Sequence, residues 1–100
     1  MKFKDIEIDS KSRRVTKAGA EVKLSAVEFD LLLFFANQPG QVFSTPELVD
    51  KVWGYHFDGS EETVANTVNR LKSKLEDDPS QPELFLSEYG LGYRFASSES

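Results

Sequence analysis

The segment from Thr63 to Leu75 constrains the fold more than any other part of this chain. Its apolar residues are spaced four, three and four positions apart, a pattern typical of a helix with one narrow apolar stripe. These residues are Val64, Val68, Leu71 and Leu75. The other face of the predicted helix carries Asn66, Thr67, Asn69, Arg70, Ser73 and Lys74. We expect a helix over about residues 62–75 that packs along its stripe and leaves its polar face in solvent.

Acidic residues are missing from this segment, although the chain as a whole is acidic, with a net charge of −5. Residues 63–75 carry three basic residues and no acidic one, whereas residues 25–62 carry seven acidic residues and one basic, and residues 76–100 carry six and one. A carboxylate on this face would repel a phosphate backbone, and Lys or Arg there would gain affinity by releasing counterions. The pattern suits a DNA-facing helix, but an ordinary solvated helix face has the same composition.

Two more helices are predicted before this one. Residues Ser25–Glu28 have the form of a capping box, and the apolar residues after them predict a largely buried helix to about Asn37. Residues Ser44–Glu47 repeat the capping box, with a proline in the first turn, and predict a second helix to about Trp53.

Short strands flank the three helices. The stretches FKDIEID and RRVTKAGAEVKL predict a small N-terminal antiparallel sheet with a tight turn at residues 17–20. The stretch LFLSEYGLGYRF predicts a C-terminal β-hairpin over residues 84–96. We therefore expect one α+β domain over residues 1–96, a winged helix-turn-helix with the hairpin as its wing, followed by a disordered tail over residues 97–100.

In a winged helix-turn-helix, the outer face of the third helix can enter the major groove of double-stranded DNA. The residue types on the predicted helix fit that role. Asn66 and Asn69 offer a donor and an acceptor together, the pattern that reads adenine, and Thr67 offers a hydroxyl and a methyl group. Positive charge for phosphate comes from Arg70, Lys72 and Lys74.

Several classes of protein do not fit the composition. The chain has no cysteine, and its longest apolar run, Leu31–Ala36, is far too short to span a bilayer. The one histidine, His56, lies in a predicted loop, without a nucleophile motif or a metal-ligand cluster around it. We expect a cytoplasmic protein that is not an enzyme and that uses no cofactor and no metal.

Three segments carry a family resemblance: PGQVFSTPELVDKVWGYHFDG, ETVANTVNRLKSKLEDDPSQP and GLGYRF. In this order and spacing they resemble the OmpR/PhoB-type effector domain of bacterial two-component response regulators, over about Phe3 to Phe95. The resemblance implies a winged helix behind an N-terminal four-stranded sheet, usually fused to a receiver domain that is phosphorylated on Asp. A receiver domain does not fit in 100 residues, so we expect it to lie outside this chain, with this chain as the C-terminal part.

The resemblance also implies roles by position. It makes the third helix the recognition helix, with contacts to bases and backbone from Asn66, Thr67, Asn69, Arg70 and Lys72. It implies a phosphate contact for Thr63 and a backbone contact for Trp53, which is equally suited to anchor the core. The loop from Gly54 to Glu61 matches a segment that often touches RNA polymerase, although it could be a mere connector. The loop residues in question are Tyr55, His56, Phe57 and Asp58.

Some positions depart from the family pattern. The wing has Glu88-Tyr89 where an Arg is common, and Glu62 stands at an often basic position. Residues 65–67 are Ala, Asn and Thr where the family often has an acidic residue, Val and His. These departures indicate a different or weaker DNA target, which Tyr89 could still contact through a sugar or a phosphate.

Two functions remain open at this point. The first is sequence-specific double-stranded DNA binding by a transcription regulator, with a second copy on an adjacent half-site. The alternative is a winged-helix protein-interaction module with weak or lost DNA binding, which the acidic wing and the negative net charge favour.

Overall fold

Three helices separate two antiparallel sheets along the chain. The structure is a computed structural model and describes residues 1–54 and 61–96. The predicted α+β class and the winged helix-turn-helix architecture are confirmed. The expected tail, residues 97–100, lies outside the described residues.

The N-terminal sheet has four strands in sequence order, β1 (Lys2–Phe3), β2 (Ile6–Asp9), β3 (Arg14–Lys17) and β4 (Ala20–Val22). Alternate residues of these strands face the core, because successive side chains of a strand point to opposite faces of the sheet. The buried ones are Phe3, Ile6, Ile8 and Val15. The predicted tight turn is confirmed: Lys17 pairs with Ala20 across it.

Helix α1 covers Ala26–Ala36, and both hydrogen bonds of its capping box are formed. Helix α2 covers Thr45–Leu48 and starts with the second capping box. Its continuation, Val49–Trp53, is π-helical, where we predicted an ordinary helix to Trp53. The Gly54 amide, at φ 84°, closes this turn by donating to the Val49 carbonyl at 2.7 Å, five residues back. Helical periodicity alone does not distinguish such a turn from an α-helical one.

Helix α3 covers Glu61–Leu75 and packs against α1 and α2. The four predicted stripe residues are buried, so the expected orientation of the helix is confirmed. The core that receives them is rich in phenylalanine, with Phe35 close to both Phe85 and Phe95. The third helix therefore packs on α1 and α2, and α1 in turn contacts the C-terminal sheet through Phe35.

The C-terminal sheet holds the wing. Strands β6 (Phe85–Glu88) and β7 (Gly92–Phe95) form the predicted hairpin, and the short strand β5 (Val42–Phe43) pairs with β7 on its other side. The sequence did not predict β5, because two residues carry no periodic signal and the strand exists only through long-range pairing. This third strand joins the wing to the segment between α1 and α2.

The closest backbone approach in this sheet depends on Gly92. Its φ is +142°, and a Cβ atom at this position would lie 2.0 Å from the Phe43 carbonyl oxygen. Gly90, at the wing turn, also has a positive φ, of +76°, but a Cβ atom there would meet no heavy atom within 4 Å. An alanine at Gly90 would therefore meet only the cost of a positive φ, whereas an alanine at Gly92 would meet both a clash and a φ farther from the left-handed helical region.

We expect Gly92→Ala to destabilise the domain more than Gly90→Ala does. Both substitutions place a side chain at positive φ, but only Gly92→Ala pushes β5 away from β7. The additional loss should be about 1–3 kcal/mol in the free energy of unfolding, measured by urea denaturation of both variants. Equal losses would contradict a structural role for the close approach.

Candidate nucleic-acid interface

One side of α3 is exposed along its whole length. We call this side the outer face; it consists of Glu62, Asn66, Asn69, Arg70 and Ser73, all exposed and spaced at helical intervals. Within residues 1–54 and 61–96, the side chains of Asn66, Asn69 and Arg70 make no hydrogen bond or ion pair. Their donors and acceptors are therefore available to an external ligand.

Thr67 lies inside the protein, so its predicted position on the polar face is wrong. The residue is only 1% exposed, and its hydroxyl donates to the Thr63 carbonyl at 2.8 Å, one helical turn back. Thr67 is three residues after Val64 and four before Leu71, which puts it at the edge of the apolar stripe. Its internal hydrogen bond removes the cost of burying the hydroxyl there.

Lys74 is also engaged within the protein, where we predicted a phosphate contact. Its ammonium group lies 2.7 Å from a Glu28 carboxylate oxygen and 3.1 Å from the Lys23 carbonyl oxygen. Lys74 therefore ties the end of α3 to the start of α1. Lys72, half-buried on the other edge of the helix, forms no ion pair among the described residues.

Glu28 is a buried carboxylate with two functions in this contact. One oxygen, Oε1, accepts both from the Ser25 amide at 2.9 Å, in the capping box, and from Lys74. Burial raises the pKa of Glu28, but the hydrogen bonds from Lys74 and Ser25, together with the nearby positive charges, outweigh it and leave the pKa below its ordinary value. The carboxylate is therefore charged at neutral pH. No local sequence signal links two residues so far apart.

Trp53 is partly buried and packs against the core, as the core-anchor interpretation predicted. Its backbone contact with DNA stays a prediction. The proposed polymerase-contact residues Tyr55, His56, Phe57 and Asp58 lie outside the described residues. Thr63, on the third position of α3, is partly buried.

The wing ends in an exposed apolar tip. Tyr89 is 103% exposed relative to a reference residue, and Leu91, which sequence analysis did not single out, is 65% exposed. At the base of the tip, the Arg94 guanidinium lies 2.7 Å from a Glu88 carboxylate oxygen. The acidic residue that departs from the family pattern is therefore paired within the wing.

The wing and the helix-turn-helix line a common open groove. It is bordered by the first residues of α2, the first residue of α3 and the wing tip. The helix side contributes Ser44, Thr45, Pro46 and Glu61, and the wing contributes residues 87–93. Of α3, only Glu61 lines this groove, so the wing tip lies beside the start of the helix and the outer-face residues lie outside the groove.

Among residues 1–54 and 61–96, no three His, Cys, Asp or Glu side chains are placed to hold a metal ion. The helices within these same residues all lack the length and hydrophobicity of a membrane span.

Four strands, a helix-turn-helix with one exposed helix face, and a wing beside it define a winged-helix domain of the OmpR/PhoB type. The chain belongs to the family "Transcriptional regulatory protein, C terminal", whose sequence pattern matches residues 19–95. This family is defined by transcription regulation and not by an enzyme activity. The predicted family membership is confirmed.

Relatives and solved structures agree with this membership. The DNA-binding response regulator MtrA of Mycolicibacterium smegmatis is 40% identical over 90 residues, which are 90% of this chain and 40% of MtrA. The chain spans about 40% of the length of the curated relatives it matches. The RstA DNA-binding domain of Klebsiella pneumoniae, solved in complex with the RstA box, superposes with a TM-score of 0.85 at 31% identity, covering 96% of this chain and 95% of that one. DrrB of Thermotoga maritima, an OmpR/PhoB homologue, superposes with a TM-score of 0.89 at 29% identity, covering 97% of this chain and 44% of the DrrB chain.

We expect Lys74→Met to destabilise the fold, with Lys72→Met as the matched control. The first substitution leaves the Glu28 carboxylate buried without its cation, which should cost about 1–2 kcal/mol in the free energy of unfolding. Because the folded-state pKa of Glu28 is lowered, the stabilisation is present above the ordinary Glu pKa and is lost as pH falls through the folded value. The difference between Lys74→Met and the parent should therefore shrink in acid, as measured by denaturation at several pH values. A difference that does not change with pH would argue against the ion pair.

Proposed function

We propose that this domain binds specific sequences of double-stranded DNA as part of a transcription regulator, with α3 in the major groove and the wing beside it. The observation that carries the proposal is the outer face. Asn66, Asn69 and Arg70 stand on one side of a helix whose other side is buried, and within the described residues their side chains form no hydrogen bond or ion pair. The MtrA and RstA similarities support the same function.

The chemistry of the outer face favours base reading over simple attraction to phosphate. An Asn side chain can pair bidentately with adenine, and Arg can do so with guanine. The face itself carries one acidic residue, Glu62, and one basic residue, Arg70, so its net charge is close to zero. Phosphate contacts are proposed for Thr63 and Lys72, which lie on α3 beside this face, and for Trp53 on the basis of the family resemblance. Thr67 and Lys74 are left out, because their polar groups already have partners within this chain, Thr63 and Glu28.

Selection from a random pool of DNA duplexes tests this proposal. Enrichment of one motif, bound at moderate salt, is expected. The competing function is a protein-interaction module, which the exposed Tyr89 and Leu91 and the acidic Glu62 favour. Binding that shows no sequence preference at low salt and disappears at physiological salt would reject DNA reading in favour of that module.

On the selected operator, we expect Asn66→Ala and Lys72→Ala to weaken DNA binding in different ways. Asn66→Ala should cost about 1–3 kcal/mol at one base position and little at others, since a neutral amide releases no counterion. Lys72→Ala should weaken all sequences alike and lower the salt slope by about one. Affinities of single-base operator variants at several salt concentrations measure both effects.

Gln81→Ala is the matched control, because it removes an exposed neutral amide from the loop after α3. It should change neither the base preference nor the salt slope. A uniform loss for Asn66→Ala would exclude it as a base reader and make Asn69 or Arg70 the first candidate.

We further propose that specific binding needs two copies on adjacent half-sites, since one such module reads few bases. Half-sites one helical turn apart place both copies on the same side of the duplex. Inserting about five base pairs between them should abolish cooperative binding in a titration, because it rotates one copy to the opposite side of the duplex. Tight binding of one copy to a single half-site would contradict this requirement.

The remaining partners are proposed from the family resemblance. A receiver domain, phosphorylated on Asp, would lie outside this chain and control its activity. The loop from residue 54 to residue 61 would contact RNA polymerase. A DNA target implies a cytoplasmic location for the regulator.

A further inference from the structure

The residue that follows α3 holds the start of the wing through its side chain. Glu76 is only 6% exposed, and its carboxylate accepts hydrogen bonds from three consecutive backbone amides. Oε1 accepts from Glu83 at 2.9 Å and from Leu84 at 3.1 Å, and Oε2 accepts from Leu84 at 2.9 Å and from Phe85 at 2.8 Å. Phe85 is the first residue of β6. One side chain therefore spans the end of the helix and the beginning of the wing.

This contact is directional. Within the described residues, no Lys or Arg forms an ion pair with Glu76, so its carboxylate is held by amide dipoles alone. Hydrogen bonds from a backbone N–H to a carboxylate are stronger than neutral ones, and a buried N–H left without a partner is costly. The amides of Leu84 and Phe85 are buried and point at the carboxylate. These amides fix the orientation of the Glu76 carboxylate, and the carboxylate in turn fixes the orientation of the backbone at Leu84 and Phe85.

The other end of the contact is fixed by the helix. The Glu76 amide donates to the Lys72 carbonyl at 2.9 Å, which continues the hydrogen-bond pattern of α3 by one residue. The neighbouring acidic residues contact other parts of the structure: Asp77 pairs with Lys17 of the N-terminal sheet at 2.6 Å, and Asp78 accepts hydrogen bonds from the Ser80 amide and hydroxyl within the loop. Of the three acidic residues after α3, only Glu76 reaches the wing among the described residues.

We propose that Glu76 is a positioning residue that sets the orientation of the wing relative to the recognition helix α3. The consequence for DNA rests on the proposed function: with the two elements held in one geometry, base reading by α3 and contact by the wing tip occur together. Glu76→Gln tests this, because it keeps the shape but points an NH₂ group at backbone N–H donors. Glu83→Gln is the matched control, since Glu83 is an exposed carboxylate on the same loop, paired only with Lys4 among the described residues.

The first measurement needs no DNA. Residual dipolar couplings of backbone amides report the orientation of β6 and β7 relative to α3 in the folded variant. For Glu76→Gln, we expect the couplings of the wing to depart from the parent frame, with hydrogen exchange at Leu84 and Phe85 faster by about tenfold or more. Glu83→Gln should match the parent. An unchanged wing orientation in Glu76→Gln, with only a lower melting temperature, would overturn the proposal.

If Glu76→Gln does not fold, Glu76→Asp replaces it. The shorter side chain keeps the charge but cannot reach all three amides, so the proposal expects the same change in wing orientation. A parent-like orientation in Glu76→Asp would show that charge alone suffices, and would overturn the proposal as well.

The second measurement uses the selected operator. In the parent, Tyr89→Ala should weaken binding by about fivefold or more, as expected for the loss of a stacking or phosphate contact of about 1 kcal/mol or more. In the Glu76→Gln background, this factor should fall towards one because the tip is already displaced, while the Asn66→Ala factor stays the same. Unchanged factors for both residues would reject a positioning role. If Tyr89→Ala has no effect even in the parent, the wing contact of the proposed function fails, and the dipolar couplings alone decide the role of Glu76.

Discussion

The narrow stripe of α3 is the contact on which the rest of this structure depends. Its four aliphatic side chains are at most 1% exposed, belong to the common core and hold α3 against α1 and α2. Burying each contributes about 1.5–3 kcal/mol, which makes the stripe a main source of stability for so small a domain. Because so few positions hold the helix, the five residues of the outer face have no packing function. That division is what allows one helix to be both a core element and a candidate reading surface.

Two buried carboxylates add specific contacts that connect α3 to the neighbouring elements. Glu28 accepts a hydrogen bond from Lys74 and so joins α1 to α3. Glu76 accepts hydrogen bonds from three backbone amides and so joins the end of α3 to the wing. Charge patterning along the chain shows where acidic residues are absent, but not what the remaining ones do. The acidic run after α3 is unfavourable for the helix dipole. In the structure Glu76 and Asp77 have partners in the wing and in the N-terminal sheet, and Asp78 accepts from Ser80 in the loop after α3, which accounts for the placement.

Features with a local or periodic signal could be predicted from the sequence: the two capping boxes, the buried stripe of α3, the tight turn before β4 and the hairpin. Features made by long-range pairing could not. Strand β5 exists only against β7, and Lys74 forms its ion pair with a carboxylate, Glu28, that lies 46 residues away in the chain. Thr67 was misplaced because its polarity suggested an outer position, whereas its spacing puts it beside the stripe. Helical periodicity predicted that Asn66, Asn69 and Arg70 lie on the outer face, but it does not indicate which DNA sequence they would bind.

The close approach of Gly92 to the Phe43 carbonyl holds the wing against β5, and the Arg94–Glu88 pair joins the two strands of the wing to each other. The tip residues Tyr89 and Leu91 take no part in either contact and are largely exposed. Substitutions at the tip should therefore change the free energy of unfolding little, whereas substitutions in the core can unfold the domain. Among descendants of one ancestor, such a wing can change the surface it touches in single steps, each tolerated by the fold, while the frame that presents it stays the same.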